Sequence, residues 1–163
     1  MRRRFSAILI AAVLLTVATT LSGCSFGAPS ISMTFSPSTV TLKAGQPVNV
    51  SVTLTLNGFG SFEIKRLSLS YITANGDEIE NAEMYGLPTG GDLDNAITLF
   101  GTLGLASKTL SLAELNNGEE IIPAAGWWLI HPHPVGIVLT FFDGSGKLVG
   151  RGELGLVWSS LVG

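Results

Sequence analysis

The run "VNVSVTLTLN", residues 48–57, decides the fold. Val48, Val50, Val52, Leu54 and Leu56 occupy one parity, while Asn49, Ser51, Thr53, Thr55 and Asn57 occupy the other. A strict period of two over ten residues belongs to a half-buried antiparallel strand. Its polar face is almost entirely hydroxyl and amide, the surface of a solvated sheet. Upstream, Ile31, Met33 and Phe35 alternate with Ser32, Thr34 and Ser36, Pro37 interrupts, and Val40 and Leu42 resume the alternation. "KAGQP" (43–47) reads as a turn between the two segments.

Downstream, "NGFGS" (57–61) reverses the chain. Phe62 and Ile64 share one parity but Leu67, Leu69 and Tyr71 the other, so a bulge or strand break is expected at Lys65-Arg66. Asn75-Gly76 is a hairpin signal, with "DEIE" (77–80) as its return strand. Residues 81–95, with Pro88 and Gly90-Gly91, read as loop, Ile97–Leu103 as a strand, and Lys108–Leu110 as a short one. Ser111 and Glu114 have capping-box spacing and Asn116-Asn117-Gly118 supplies a stop, which predicts a helix of one or two turns. The run Trp127–Ile130 reads as extended. Val135–Phe142 is apolar on both faces, as an interior strand is, and Asp143–Gly146 makes a hairpin into a closing strand. That strand turns Leu148, Leu154, Leu156 and Trp158 inward, with Gly150 and Gly152 on the same parity.

Seven to nine short strands punctuated by turns predict an all-β domain over residues 31–160. "FSPSTVTLKAGQPVNVSVTLTL" (35–56) resembles the opening of bacterial immunoglobulin-like or fibronectin-like modules, in which a proline-split first strand leads into a long alternating second one. "IVLTFFDGSGKLVGRGELGLVW" (137–158) resembles their closing hairpin. The resemblance implies an immunoglobulin-like antiparallel β-sandwich with one short helix. It also implies a body that binds or spaces, since the fold alone assigns no chemistry.

The front of the chain has a different character. Arg2, Arg3 and Arg4 precede an almost wholly apolar stretch, Phe5–Val17, and the segment ends in Leu21-Ser22-Gly23-Cys24, with the only cysteine of the 163 residues. From Phe5 to Leu21 is 17 residues, short for a permanent membrane helix and typical of a signal peptide. "LSGC" resembles the lipobox of bacterial lipoproteins. The resemblance implies that Cys24 receives a diacylglyceryl thioether, that cleavage falls between Gly23 and Cys24, and that the new amino terminus is acylated, with palmitate-type chains. The chain then divides into a signal peptide (1–23), a lipidated cysteine with a short tether (24–30) and the β-domain. One acyl chain holds a protein only marginally, at about 0.8 kcal/mol per buried methylene, whereas two or three hold it firmly. The expected location is the cell membrane or outer membrane, facing the periplasm or exterior. Without its three leader arginines the chain keeps six basic and twelve acidic residues, a net charge of −6. That balance argues against nucleic acid as a partner and against adhesion to anionic lipid by charge alone.

Candidate ligand sites are few. His131 and His133, the only histidines, stand two apart as a pair of metal ligands can, but Pro132 and Pro134 interleave them and equally describe a solvent-facing loop. Asp92, Asp94 and Asn95 form an oxygen cluster of the kind calcium uses, without the glycine and distant glutamate of an EF-hand, and equally describe a polar loop. Trp127 and Trp128 are candidates for a glycan platform. Adjacent strand residues face opposite ways, so at most one of them is expected at the surface. The sequence holds no G-x-S-x-G, H-E-x-x-H or phosphate-loop motif. The expectation is therefore a non-catalytic envelope lipoprotein with no cofactor beyond the lipid on Cys24. Its partners would be the bilayer, through the acyl anchor, and an envelope protein or glycan. A metal-binding protein or small metal-dependent hydrolase using His131 and His133 is the alternative, as is a glycan-binding module.

Overall fold

A computed structural model describes residues 30–101 and 105–159. The signal peptide, the Gly23–Cys24 junction, the tether to residue 29, and Leu103 lie outside the described residues. The described chain is mostly β and forms two sheets. The smaller sheet holds β1 (Ser30–Ser36), β3 (Ser51–Asn57) and β6 (Leu105–Ser111), in the order β1-β3-β6. The larger, curled sheet has the order β2-β8-β7-β4-β5. Its members are β2 (Thr39–Leu42), β4 (Gly60–Ile72), β5 (Gly90–Gly101), β7 (Gly136–Phe142) and β8 (Leu148–Trp158). A 3-10 turn spans Ala82–Tyr85, and two short helices follow β6: α1 (Leu112–Leu115) and α2 (Ala125–Leu129).

The alternating run builds the centre. Regular pairing begins at Ser51, and Val52, Leu54 and Leu56 of β3 are wholly buried against the larger sheet, whose Leu67, Leu69, Tyr71, Leu139, Phe141 and Leu154 belong to the same core. Burying each such side chain is worth about 1.5–3 kcal/mol. Val48 and Val50 precede the strand yet are buried too, because the Val48 N–H donates to Ile121 O and Val50 O accepts from Leu112 N–H. β7 is interior, as its apolar faces predict, paired with β4 on one side and β8 on the other.

The first strand divides between sheets at Pro37. β1 pairs antiparallel with β3, whereas β2, two residues later, pairs with β8. That second pairing is parallel, so the antiparallel expectation fails at this edge. The crossing runs along the chain from one sheet to the other, so β2 reaches β8 pointing the same way. Three Cα steps, from Ser36 to Thr39, span at most about 11 Å, and sheets normally stack about 10 Å apart. The link is thus just long enough to cross between sheets at ordinary spacing. At Gly150 and Gly152 the sheets come closer than that spacing requires. A Cβ on Gly152 would lie 2.9 Å from Phe35 Cε2 and 3.2 Å from Met33 Cβ, and one on Gly150 would lie 3.1 Å from Ile31 O. β1 thus rests directly on the backbone of β8.

Several boundaries differ from expectation. The parity slip at Lys65-Arg66 is a bulge: β4 advances from Ile64 to Arg66 while its partner goes from Ile97 back to Asp92. The surplus lies on β5, so the loop expected over 81–95 is in part a bulged strand that already begins at Gly90. The return strand after Asn75-Gly76 shrinks to a single bridge, Ile72 with Glu78, before the 3-10 turn. A second register shift pairs Phe141 with Gly150 but Phe142 with Leu148. Val149 is the extra residue; it is buried, and Leu148, expected inside, faces solvent. Trp127 and Trp128 stand on α2, not on a strand, so the described chain has two short helices where one was expected.

The seam over β8 yields a test. Gly152→Val should lower the stability by about 1–3 kcal/mol in urea unfolding, as overpacking does. Gly91→Ala on β5, where an added Cβ meets nothing within 4 Å, should change it by less than about 0.5 kcal/mol.

Candidate functional site

The chemistry-bearing residues gather at the end of the sheets away from Ser30. There β4 ends at Ile72, β7 begins at Gly136, and β8 ends at Trp158, opposite Leu42. The inward parity that places Leu67 and Leu69 in the core also buries Tyr71. Its hydroxyl donates to Pro88 O at 2.7 Å. Burial pushes that hydroxyl well above the usual phenol range, so it stays protonated and keeps its donor.

Trp127 is 2% exposed and stands edge-on to Tyr71, 5.8 Å between ring centres, and to Trp158, 6.4 Å. It is a core anchor, and the indole pair is split as expected, though by a helical turn in place of strand alternation. Trp128 is 40% exposed. It stacks on His133 with ring centres 4.7 Å apart and planes 29° apart, and leans on Trp158 at 5.8 Å. Trp158 Nε1–H donates to Pro134 O at 3.0 Å, which pins the "HPHP" segment beneath the shelf. Trp128, His133 and His131 thus form a surface of rings, with His131 6.5 Å from His133 and edge-on to it. A platform of this kind offers π-faces to a sugar ring or another flat apolar group.

Beside the shelf opens a cleft of about 250 Å³ lined by Thr73, Asp77, Glu78, Glu80, Tyr85 and His131 among others. Thr73 is 4% exposed, and its hydroxyl has no hydrogen-bond partner among the described residues. Nothing in the sequence marked Thr73, because a threonine at the end of a strand is ordinary; only the fold buries it. Trp158 and Tyr71 were legible as inward residues, but not as the frame of a surface site.

The acidic candidates divide differently. Asp92 and Asp94 lie around the bulge of β5. Asn117 clamps their backbone, its Nδ2 donating to Asp92 O at 2.9 Å and its Oδ1 accepting from Asp94 N–H at 3.0 Å. Their carboxylates share a surface depression with Lys65 and Arg66. Among the described residues no group of three or more His, Cys, Asp or Glu side chains converges as metal ligands do. Two other carboxylates are committed to local structure. Hydrogen bonds from the Ser111 backbone and hydroxyl hold Glu114 below the usual carboxylate range and close the capping box of α1. Bonds from the Ser145 hydroxyl and the Lys147 and Ser145 amides do the same for Asp143 in the β7–β8 turn.

Comparison with known proteins adds similarity of shape only. No protein-family model matches the chain, and neither does any curated protein sequence. One similar solved structure is the Pseudomonas fluorescens alkylpurine DNA glycosylase AlkC bound to DNA containing an abasic-site analogue. It is 13% identical with a TM-score of 0.42, over 79% of this chain and 30% of that one. Another is Spo0M, a sporulation control protein from Bacillus subtilis, 10% identical with a TM-score of 0.40, over 82% of this chain and 50% of that one. The chain spans half or less of the length of both.

Two outcomes follow from the cluster. Trp127→Ala should lower stability by about 3–5 kcal/mol, as loss of a buried aromatic does, and Trp128→Ala by about 1 kcal/mol or less; urea titration separates them. Tyr71 also sets an alkaline limit. The unfolded chain ionises its tyrosines near pH 10, while the folded state resists at Tyr71. The stability this residue contributes is therefore complete below about pH 10 and lost as pH rises beyond it. The urea midpoint of the wild-type protein should drop more steeply above that pH than the midpoint of Tyr71→Phe.

Proposed function

We propose that the mature chain is a lipid-anchored protein of the bacterial cell envelope, whose immunoglobulin-like body binds a partner without catalysing a reaction on it. The observation that carries this reading is the front of the sequence. Three arginines, a short apolar run and Leu-Ser-Gly-Cys occur in the order that lipid attachment and cleavage require, and Cys24 is the only thiol in the chain. The division of the first strand at Pro37, which sends β1 to one sheet and β2 to the other, supports the immunoglobulin-like reading of the body. Among the described residues no helix is long and apolar enough to cross a membrane. In this account the acyl chains provide the attachment.

The binding surface is the end remote from the tether. There the Trp128–His133 shelf adjoins the cleft edged by Asp77, Glu78 and Glu80. A glycan ligand is the second reading, favoured by the exposed and ring-supported face of Trp128. Binding to isolated cell-wall polysaccharide that Trp128→Ala abolishes would support it, and equal binding by both proteins would remove it.

The anchor itself is tested by expressing the full chain in a bacterium and measuring the intact mass of the membrane-fraction protein. The expected mass is that of residues 24–163 plus a diacylglyceryl group and an N-acyl chain, and Cys24→Ser should leave the precursor uncleaved and unlabelled by palmitate. A mature protein bearing a free thiol would refute the reading.

A further inference from the structure

Where the tether joins the body, the surface changes character. Ser30, the first described residue, pairs with Asn57. Two residues on, Phe59 is 59% exposed, and Phe100, opposite Ser61 at the start of β4, is 64% exposed. Leu148, 54% exposed, stands one residue beyond Val149 and two beyond Gly150, the glycine on which Ile31 rests. By register, Phe59 and Phe100 therefore lie at the end of the body where the described chain begins, and Leu148 lies by the β7–β8 turn on the same side.

Charge is divided along the same axis. Lys65, Arg66 and Lys147 lie beside the β7–β8 turn on the tether side: Arg66 pairs with Phe142 and its guanidinium lies over that ring, and the Lys65 stem lies near Gly144. Arg151 follows on β8, and Lys108 sits at mid-sheet opposite Leu54. Lys43 is the remaining basic residue among those described, and it lies at the other end. That other end carries Asp77, Glu78, Glu80 and Glu83 after β4, and Glu119 and Glu120 after α1. On the tether side Glu63, paired with Lys65 at 3.2 Å, together with Asp92, Asp94 and Asp143 balances Lys65, Arg66, Lys147 and Arg151, so that side is close to neutral and most of the acidic excess lies at the other end.

We propose that the Phe59–Phe100–Leu148 end is a membrane-contact surface that rests on the phospholipid bilayer. Its aromatic side chains enter the headgroup–acyl boundary, at an end whose nearly balanced charge the lipid phosphates do not repel as they would the acidic far end. The inference rests on the lipid-anchor reading above and adds an orientation to it. Six Cα steps separate Cys24 from Ser30 and reach about 20 Å at most, so the anchor holds this end against the surface. Aromatic residues are what the interface favours, and each small apolar insertion strengthens an acyl anchor. β8 alone spans about 35 Å at 3.3 Å per residue, so an upright body presents the Trp128 shelf and the acidic cleft well above the lipid, toward a partner.

The three native tryptophans, all at the far end, make the orientation measurable. The mature chain is coupled through Cys24, its only thiol, to vesicles of phosphatidylethanolamine and phosphatidylglycerol containing a trace of maleimide-headed lipid. This attachment does not depend on native acylation, so a failure of orientation is distinguishable from a failure of the anchor reading, which intact mass decides. Phe100→Trp and, separately, Ser61→Trp each add an indole at the tether end. With brominated acyl chains the added emission should be at least halved in both variants, and the emission of the native tryptophans should stay unchanged. Unquenched added indoles in both variants, or quenched native tryptophans, would overturn the proposal.

Discussion

The architecture depends on a missing pair of side chains. Gly150 and Gly152 leave the inward face of β8 bare, and Ile31, Met33 and Phe35 of β1 lie directly on it. The Pro37-Ser38 link crosses from one sheet to the other, and β2 settles beside β8, where Ser38 O accepts from Gly155 N–H at 3.1 Å and Leu42 O from Ser159 N–H at 3.1 Å. Once β1 and β2 are fixed, the buried parity of β3 has only one surface to face: the Leu-, Tyr- and Phe-rich interior of the larger sheet.

That geometry gives the body two unlike ends. At one, where the described chain begins at Ser30, the exposed side chains include Phe59 and Phe100. At the other, strand ends, two short helices and a proline-rich segment converge on Trp127, which is buried, and Trp128, which is not. The tryptophans, Tyr71 and the Trp158–Pro134 bond frame the far end, and among the described residues Thr73 is the one with a buried side-chain polar atom lacking a partner. An unpaired buried hydroxyl costs about 1–3 kcal/mol, and it lies in the cleft edged by Asp77, Glu78 and Glu80.

The sequence disclosed the strands wherever one face is buried and the other solvated, as in β1, β3 and the inner part of β4. Periodicity of two is a direct imprint of that asymmetry. It also disclosed the capping box at Ser111–Glu114 and the slip at Lys65-Arg66, since both are local. It misplaced Leu148 and the beginning of β5. A bulge changes parity without leaving a mark in composition: Val149 reads as one more apolar strand residue, and the segment after Asp92 reads as a polar loop or ligand cluster. The helical turn holding Trp127 and Trp128 was hidden because adjacent apolar residues fit a strand equally well. Gly150 and Gly152 were visible on the inward parity, but their partner strand, 115 or more residues away, was not. The site was legible only as residue types: Trp128 and His133 stack because Trp158 anchors Pro134, a long-range bond that no local pattern contains.

The claim that one glycine-floored seam locks both sheets into a single body is tested most directly by native-state hydrogen exchange of the mature chain. The account predicts that amides in β3 and β7, one from each sheet, share the highest protection and exchange only through global unfolding, with the same dependence on denaturant. Amides of the β1-β3-β6 sheet exchanging through a separate, lower-energy opening while those of β7 and β4 stay protected would contradict it.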